Sequence, residues 1–407
     1  MRAGLTVLIA ARDEEERIGK TVEGLREQFP GAAVVVADDG SRDHTAAVAE
    51  AAGARVIRLA RRGKGQALTL AERQLEPGPL LLCDADLRGD VRGLCESGAD
   101  VAIAAFRTRA GGGFGLAKRA ARSLIASGCG VSVREPLSGQ RRLSERARTA
   151  VFPVASGFGV ETRMTIDAVR AGIEVEEVAL ELEHRATGRD LRGVAHRGRQ
   201  LADLELACGP QAVNFRGLRL PLVGSVIGLA APAVAPVAAI GLADDLWSGP
   251  ERGFRAHLGS GATTGTLKLV GIPLYALLRT RSVSGALLVG LAANALNQLD
   301  TRPGRALKAF GLGAIVLRGR VPRRAALAAV LITPYDLGEM AMLGDAGSNA
   351  LGAVLGFSSV ELLTGRRRWC AIGALTLLTL AGERRSLGAL LESTPVLREV
   401  DRLGRSA

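Results

Sequence analysis

Aromatic residues are nearly missing from this chain. Trp and Tyr number two each, and aromatics make up 3% of 407 residues. Binding of single-stranded nucleic acid needs stacking side chains interleaved with arginine. No such stretch is present, so nucleic acid is not an expected partner despite a net charge of +12. Cysteine is sparse: Cys83, Cys95, Cys129, Cys208 and Cys370, with no C-x-x-C pair. Neither a zinc site nor a disulfide framework is predicted, and free thiols fit a reducing cytoplasm. Leu5 to Ala11 is too short for a secretory leader, and charged Arg12-Asp13-Glu14-Glu15-Glu16 follows at once. It reads as a buried strand.

What is present divides the chain in two. Residues 1–210 alternate short apolar strands with helices: strands at Leu5–Ala10, Ala33–Ala37, Arg55–Leu59 and Leu80–Cys83, helices at Glu14–Gln28, Thr45–Ala52 and Gln66–Gln74. That order predicts an α/β domain with a parallel sheet covered on both faces. Past Leu218, apolar runs recur between short arginine-bearing turns: Leu218–Ala243, Thr263–Leu278, Val283–Leu299, Ala306–Leu317, Ala325–Met342 and Ser348–Leu363, with a shorter one at Trp369–Ala381. These predict an all-α, multi-span membrane domain of about six helices over 211–385, followed by a basic tail, 386–407. A soluble bundle of buried helices is the alternative. Pro232 and Pro236 break the first run midway, which suits a segment that dips into a bilayer and returns. The expected location is the plasma membrane, with the N-terminal domain cytoplasmic.

Four segments at predicted strand ends carry chemistry. Ala11-Arg12-Asp13-Glu14 closes the first strand and Asp38-Asp39-Gly40-Ser41 the second. Carboxylates at these points can accept hydrogen bonds from a base or a ribose. Gly63-Lys64-Gly65 opens a helix, where backbone N–H groups and one ammonium can meet phosphate. Asp84-Ala85-Asp86 ends the fourth strand, and two carboxylates so spaced can hold Mg²⁺ or Mn²⁺ whose other ligands are diphosphate oxygens and water. Each segment alone also suits a solvated turn or a helix cap. Their succession at strand ends within about 85 residues is the signal.

In these residues the chain resembles the family-2 nucleotide-sugar glycosyltransferases of GT-A fold, a Rossmann-like mixed sheet, over about residues 3–205. The resemblance implies that Ala11, Glu14, Asp38, Asp39, Lys64, Gly65 and Asp84 bind the nucleotide sugar, and that Asp84 and Asp86 hold the metal. Pro136-Leu137-Ser138-Gly139-Gln140-Arg141 and Gly157-Phe158-Gly159-Val160-Glu161-Thr162 resemble that family's acceptor-side segments. Glu161 is the expected general base, with a helix N-terminal carboxylate as the alternative. An acceptor that is itself a phosphate needs no base. His184 with Asp-x-Asp resembles the metal shell of the glucosyl-phosphoglycerate synthase branch. Arg141, Arg142, Arg185, Arg189 and Arg192 are candidates to clamp an anionic acceptor.

The second half holds ionisable and amide side chains near apolar runs: Asp244, Asp245, Lys268, Asn294, Asn297, Asp300 and Asp345. Such residues are functional candidates. Two runs separate Asp245 from Asp300, and two more separate Asp300 from Asp345, so the clusters are expected on one face. Asn214-Phe215-Arg216-Gly217 with Pro221, Asp244-Asp245, Asn297-Gln298-Leu299-Asp300 and Gly344-Asp345-Ala346-Gly347-Ser348 resemble polyprenyl-phosphate N-acetylhexosamine-1-phosphate transferases. That resemblance implies Mg²⁺ and a lipid phosphate at this second site, though Thr301-Arg302-Pro303-Gly304-Arg305 stands where that family has a further Asp-Gly segment. The expected function is transfer of a sugar from a nucleotide diphosphate sugar to polyprenyl phosphate or another phosphate-bearing acceptor, at a membrane-lipid surface. The alternatives are sugar-1-phosphate transfer by the membrane-half carboxylates and a non-catalytic scaffold that binds lipid carrier.

Overall fold

The computed structural model describes residues 4–106, 116–182, 203–204, 206–247, 264–384 and 387–405. They form two compact units, Met1–Pro221 and Leu222–Ala407.

Unit 1 is built on β1 (Thr6–Ala11), β2 (Ala33–Asp38), β3 (Arg55–Arg58), β4 (Leu80–Asp84), β5 (Val101–Phe106), β6 (Arg141–Leu143) and β7 (Val175–Leu180). Their order in the sheet is β3-β2-β1-β4-β6-β5-β7. The sheet is mixed: β6 runs antiparallel to both β4 and β5, and the other pairings are parallel. Successive strand residues point to opposite faces, and the two cores follow that rule. Leu8, Val35, Leu80 and Leu82 face one core, while Val7, Ile9, Val36 and Leu81 face the other. The first core is closed by helices α3 (Lys64–Glu72), α6 (Glu145–Val151) and α7 (Val160–Arg170), with Ile125 of α5 (Leu116–Cys129). The second is closed by α1 (Ile18–Gln28), α2 (Thr45–Ala51) and α4 (Gly93–Glu96). Each fully buried Leu or Ile contributes roughly 1.5–3 kcal/mol.

Helix α1 begins at Ile18, four residues later than the expected Glu14. Residues 13–15 are instead tied to the segment after β2. Asp13 N donates to Ser41 Oγ at 3.1 Å, Glu14 N to Thr45 Oγ1 at 2.7 Å, and Glu15 N to Asp43 Oδ2 at 3.2 Å. Arg42 N and His44 N return bonds to Asp13 and Glu15. The expected membrane-half piece Asn214–Gly217 with Pro221 belongs to unit 1. It turns between β8 (Gln211–Val213) and β9 (Arg219–Pro221), with Asn214 Oδ1 accepting from Arg216 N and Leu218 N.

The described residues of unit 2 are helical apart from turns: α8 (Ser225–Ala230), a short 3₁₀ turn at Pro232–Val234, α9 (Ala235–Trp247), α10 (Thr264–Thr280), α11 (Val283–Leu299), α12 (Arg305–Val316), α13 (Arg323–Leu337), α14 (Gly344–Leu362), α15 (Gly365–Arg384), α16 (Leu387–Ser393) and α17 (Pro395–Arg402). The expected break at Pro232 is there, and the chain folds back on itself: a Cβ on Gly228 would meet Ala238 Cβ at 2.8 Å. Glycine also lets α14 approach α11, since a Cβ on Gly356 would lie 2.6 Å from Val289 Cα. No helix among the described residues is long and apolar enough to cross a membrane, so the expected set of membrane-crossing helices is not found. The reason is visible in the two longest. Asp345, Ser348 and Asn349 interrupt α14, and Arg366–Arg368 open α15. The expected basic tail is also more than a tail. Arg305, 4% exposed, bonds both carboxylate oxygens of Asp401 at 2.9 Å and holds α17 in place.

Candidate active site

Strand register sets the site. Ala11 pairs with Asp38 across β1 and β2, and Ala10 pairs with Asp84 across β1 and β4. The carboxyl ends of three parallel strands therefore bring Ala11, Asp38 and Asp84 to one edge, where open α/β sheets bind ligands.

Behind that edge, Asp38 and Asp39 do different work. Asp38 accepts from Ser41 N at 3.1 Å and from the Ser41 hydroxyl, shaping the turn at Gly40, whose φ is +68°. Asp39 accepts from Arg62 N at 2.6 Å and Gly63 N at 2.9 Å, so it fixes the basic glycine loop. Burial pushes the Asp39 carboxyl above the usual carboxylate range, against the pull of those two bonds and of Arg12 and Arg61. Glu14 pairs with Arg17 at 2.6 Å. Of the loop glycines, Gly63 caps α3 at φ +97° with open space beside it. Gly65 is buried against the Ala155 carbonyl, which leaves no room for a Cβ. Its small size therefore serves packing.

Lys64 joins the halves of the site. Its Nζ donates to Asp84 Oδ1 at 2.6 Å and to Glu161 Oε1 at 2.7 Å. Burial by itself lowers the ammonium's pKa, but the charges of Asp84 and Glu161 overturn this and hold it above the usual lysine value. Asp84 also accepts from Gln140 Nε2 at 3.0 Å. A Cβ on Gly139 would fall on the Asp84 carboxylate, so the glycine makes that carboxylate's berth. Asp86 is exposed two residues on. Glu161 lies in the first turn of α7, 8% exposed. Lys64, Cys83, Gly139, Arg141 and Glu161 line a small recess with room for about one water. The Cys83 thiol is pushed up by burial and by Asp84.

Among the expected acceptor-clamping arginines, Arg141 is fully buried and donates to Ser138 O, Pro136 O and Thr165 Oγ1. Burial pulls its pKa down to about 10. It holds the loop 136–140 and is not free to meet an acceptor. Arg142 bonds the Ala99 carbonyl. His184, Arg185, Arg189 and Arg192 lie outside the described residues. The Lys64–Glu161 pair and the Gln140–Asp84 bond were not foreseen in the sequence.

In unit 2 the chain brings its dispersed carboxylates together at one end of the bundle. Lys268 Nζ lies 2.5 Å from both Asp244 Oδ2 and Asp345 Oδ2. Asp245 accepts from Asp345 N and Ala346 N at 2.9 Å, capping α14. Asn297 Oδ1 accepts from Ser348 Oγ at 2.9 Å. Asp300 ends α11 within electrostatic reach of Asp245, Asp336 and Asp345. Asp336 is the member that sequence reasoning missed. It accepts from Gly304 N at 2.6 Å and Leu343 N at 3.0 Å, fastening two turns. Its signal was available: a lone carboxylate inside an apolar run.

A sheet edge that gathers carboxylates and a lysine-bearing glycine loop suits a phosphate-bearing ligand. Residues 6–121 match the family model described as glycosyl transferase family 2. The glucosyl-3-phosphoglycerate synthase of Mycolicibacterium paratuberculosis is 30% identical over 244 residues, covering 50% of this chain and 72% of that protein. Its counterpart in Mycolicibacterium smegmatis is 32% identical over 254 residues, covering 51% and 79%. The crystal structure of glucosyl-3-phosphoglycerate synthase from Mycobacterium tuberculosis with Mn²⁺, uridine diphosphate and glucosyl-3-phosphoglycerate is 26% identical, covering 54% of this chain and 86% of that one at a TM-score of 0.43. The chain belongs to the family-2 glycosyltransferases, and it is a glycosyltransferase.

Proposed function

We propose that the edge formed by Ala11, Asp38, Lys64 and Asp84 binds a nucleotide diphosphate sugar, and that the sugar is passed to a phosphate-bearing acceptor. The observation that carries this reading is Lys64. One ammonium, fixed by Asp84 and Glu161, stands at the N-terminus of α3, where a diphosphate gains from both the charge and the helix dipole. Two relatives named for a phosphoglycerate product support an acceptor that carries phosphate.

The residues fit a divalent metal. Asp84 has a carboxylate-shaped berth at Gly139, and Asp86 is open to solvent. Carboxylate oxygens are hard donors suited to Mg²⁺ or Mn²⁺. The described residues contain no group of three or more His, Cys, Asp and Glu side chains placed to hold a metal. Diphosphate oxygens and water would therefore complete the shell. When bound, the metal would neutralise charge on the departing diphosphate. Lys64 adds a second positive charge there. Glu161 holds Lys64 in place, and for a hydroxyl acceptor it also stands as the base; a phosphate oxygen needs none. We place the protein at the cytoplasmic side of the plasma membrane, with lipid-linked phosphate among the acceptors, because unit 2 exposes an apolar surface.

The test is nucleoside diphosphate release from a panel of donors, with metal and with chelator. Asp86→Ala is expected to cost about 10²-fold or more in turnover while leaving the fold intact, since Asp86 is exposed. Near-normal turnover would refute the assignment. A second reading rests on Lys268 between Asp244 and Asp345: sugar-1-phosphate transfer in unit 2. It predicts nucleoside monophosphate as the product.

A further inference from the structure

Unit 2 exposes its apolar side chains in stripes. Among the described residues, the large apolar side chains that are exposed all lie in unit 2, apart from Val213 and Phe215. On α10 they are Leu267, Leu269, Val270, Leu274, Leu277 and Leu278, and all but Leu269 keep to one helical face. On α13 they are Leu327, Val330, Leu331 and Tyr335. Water gains nothing from such stripes, and exposed apolar surface of this extent marks an interaction surface.

The stripes end in arginine. The turns after α10, α12 and α14 carry exposed Arg279, Arg281, Arg320, Arg323, Arg366 and Arg367. These turns lie at one end of the bundle. Arg368 Nη1 reaches Ser284 Oγ at 3.2 Å, which joins the turn after α14 to the start of α11. Near the end of α12, a Cβ on Gly313 would meet Leu355 of α14 at 2.7 Å. The carboxylates occupy the other end, as the Asp245 bonds to the start of α14 and the Asp336 bonds to the start of α12 require. Trp369, 58% exposed, sits beside the arginines.

We propose that unit 2 docks on an anionic lipid bilayer through the face of α10, with its apolar stripe among acyl chains and the arginine end at the headgroups. The charge pattern selects this occupant. Anionic headgroups attract a cationic rim that borders apolar surface, and Trp is favoured at that boundary. A second copy packed in register would bring two arginine ends together and repel. Docking of this kind needs no helix to cross the bilayer. The inference deepens the membrane placement proposed above, and its test needs no turnover, so the two readings fail separately.

The full chain carrying Trp247→Phe retains Trp369 as its single tryptophan. It is mixed with vesicles of phosphatidylglycerol and phosphatidylethanolamine, or of phosphatidylcholine alone, each also made with tail-brominated lipid. The expected result is flotation with the anionic vesicles and bromine quenching of Trp369. Arg366→Gln with Arg367→Gln should weaken anionic-vesicle binding about tenfold or more, with unchanged circular dichroism. Three results would overturn the proposal: no flotation with either vesicle, equal binding to both vesicles, or an unquenched Trp369 in a dimer seen by light scattering.

Discussion

Lys64 is a single ammonium shared by Asp84, from β4, and Glu161, from α7. Replacing it with methionine leaves two carboxylates facing each other. Lys64→Met should destabilise unit 1 by about 1–3 kcal/mol, less than a fully buried pair because Asp84 keeps solvent access. It should also cost transfer about 10²-fold or more, and turnover near that of the parent chain would remove Lys64 from the diphosphate site. The pH dependence follows from the sign of its shift. A lysine held above its ordinary value of 10.5 keeps its charge, and the ion pair's stabilisation, throughout the range below that value and loses both only as pH rises past its folded pKa. Donor affinity should therefore show no lysine titration between about pH 7 and 10; a fall centred near 9 would mean the pair is not formed. Gly139→Ala tests the neighbouring contact, because the added methyl must displace the Asp84 carboxylate. A misplacement of this kind costs about 10²-fold in kcat/KM, and an unchanged kcat/KM would show that the Asp84 position does not matter.

At the scale of elements, much was legible because periodicity reports burial. The Val-rich run predicted at Ala33–Ala37 is strand Ala33–Asp38, and Val283–Leu299 is a helix with those same ends. The mixed sheet expected from the resemblance is present, but its antiparallel member, Arg141–Leu143, is three residues long and carries no alternation to read. The strand-end carboxylates were legible as positions, not as partners. Whether Asp39 faces a ligand or the 62–63 backbone depends on how the loop after β3 closes, a contact 23 residues away. Lys64 and Glu161 meet across 97 residues only because α3 and α7 pack on one face of the sheet. Gly65, expected in a phosphate loop for its backbone N–H, also packs against Ala155, a contact with no signal in the sequence. Gly65→Ala should consequently destabilise unit 1 by about 1–3 kcal/mol through overpacking, read as a lower urea midpoint. A midpoint equal to the parent's would mean that the α3 approach is looser than described.

At the scale of the molecule, one chain carries two ionic centres of different construction. In unit 1, Lys64 and the exposed Asp86 stand at the mouth of a sheet edge, with a recess beside them. In unit 2, the carboxylates are largely committed to the fold: Asp245 caps α14, Asp336 fastens two turns, and Lys268 neutralises Asp244 and Asp345. A carboxylate already holding backbone N–H groups must break those bonds to bind a metal, which costs about 1–3 kcal/mol for each charged hydrogen bond lost. Asp84 of unit 1 is likewise held, by Lys64 and Gln140, but Asp86 beside it is exposed, and the proposed function rests on that open carboxylate. Asp86→Ala should abolish nucleoside diphosphate release, whereas Asp345→Asn, which keeps the shape and removes one charge from the Lys268 pair, should leave it within about twofold. Neither variant should produce nucleoside monophosphate, because diphosphate is the leaving group when the bond to the sugar carbon breaks. Chromatography of the nucleotide products separates the cases. Monophosphate that persists in Asp86→Ala and vanishes in Asp345→Asn would move the chemistry to unit 2 and leave unit 1 as its donor-binding companion.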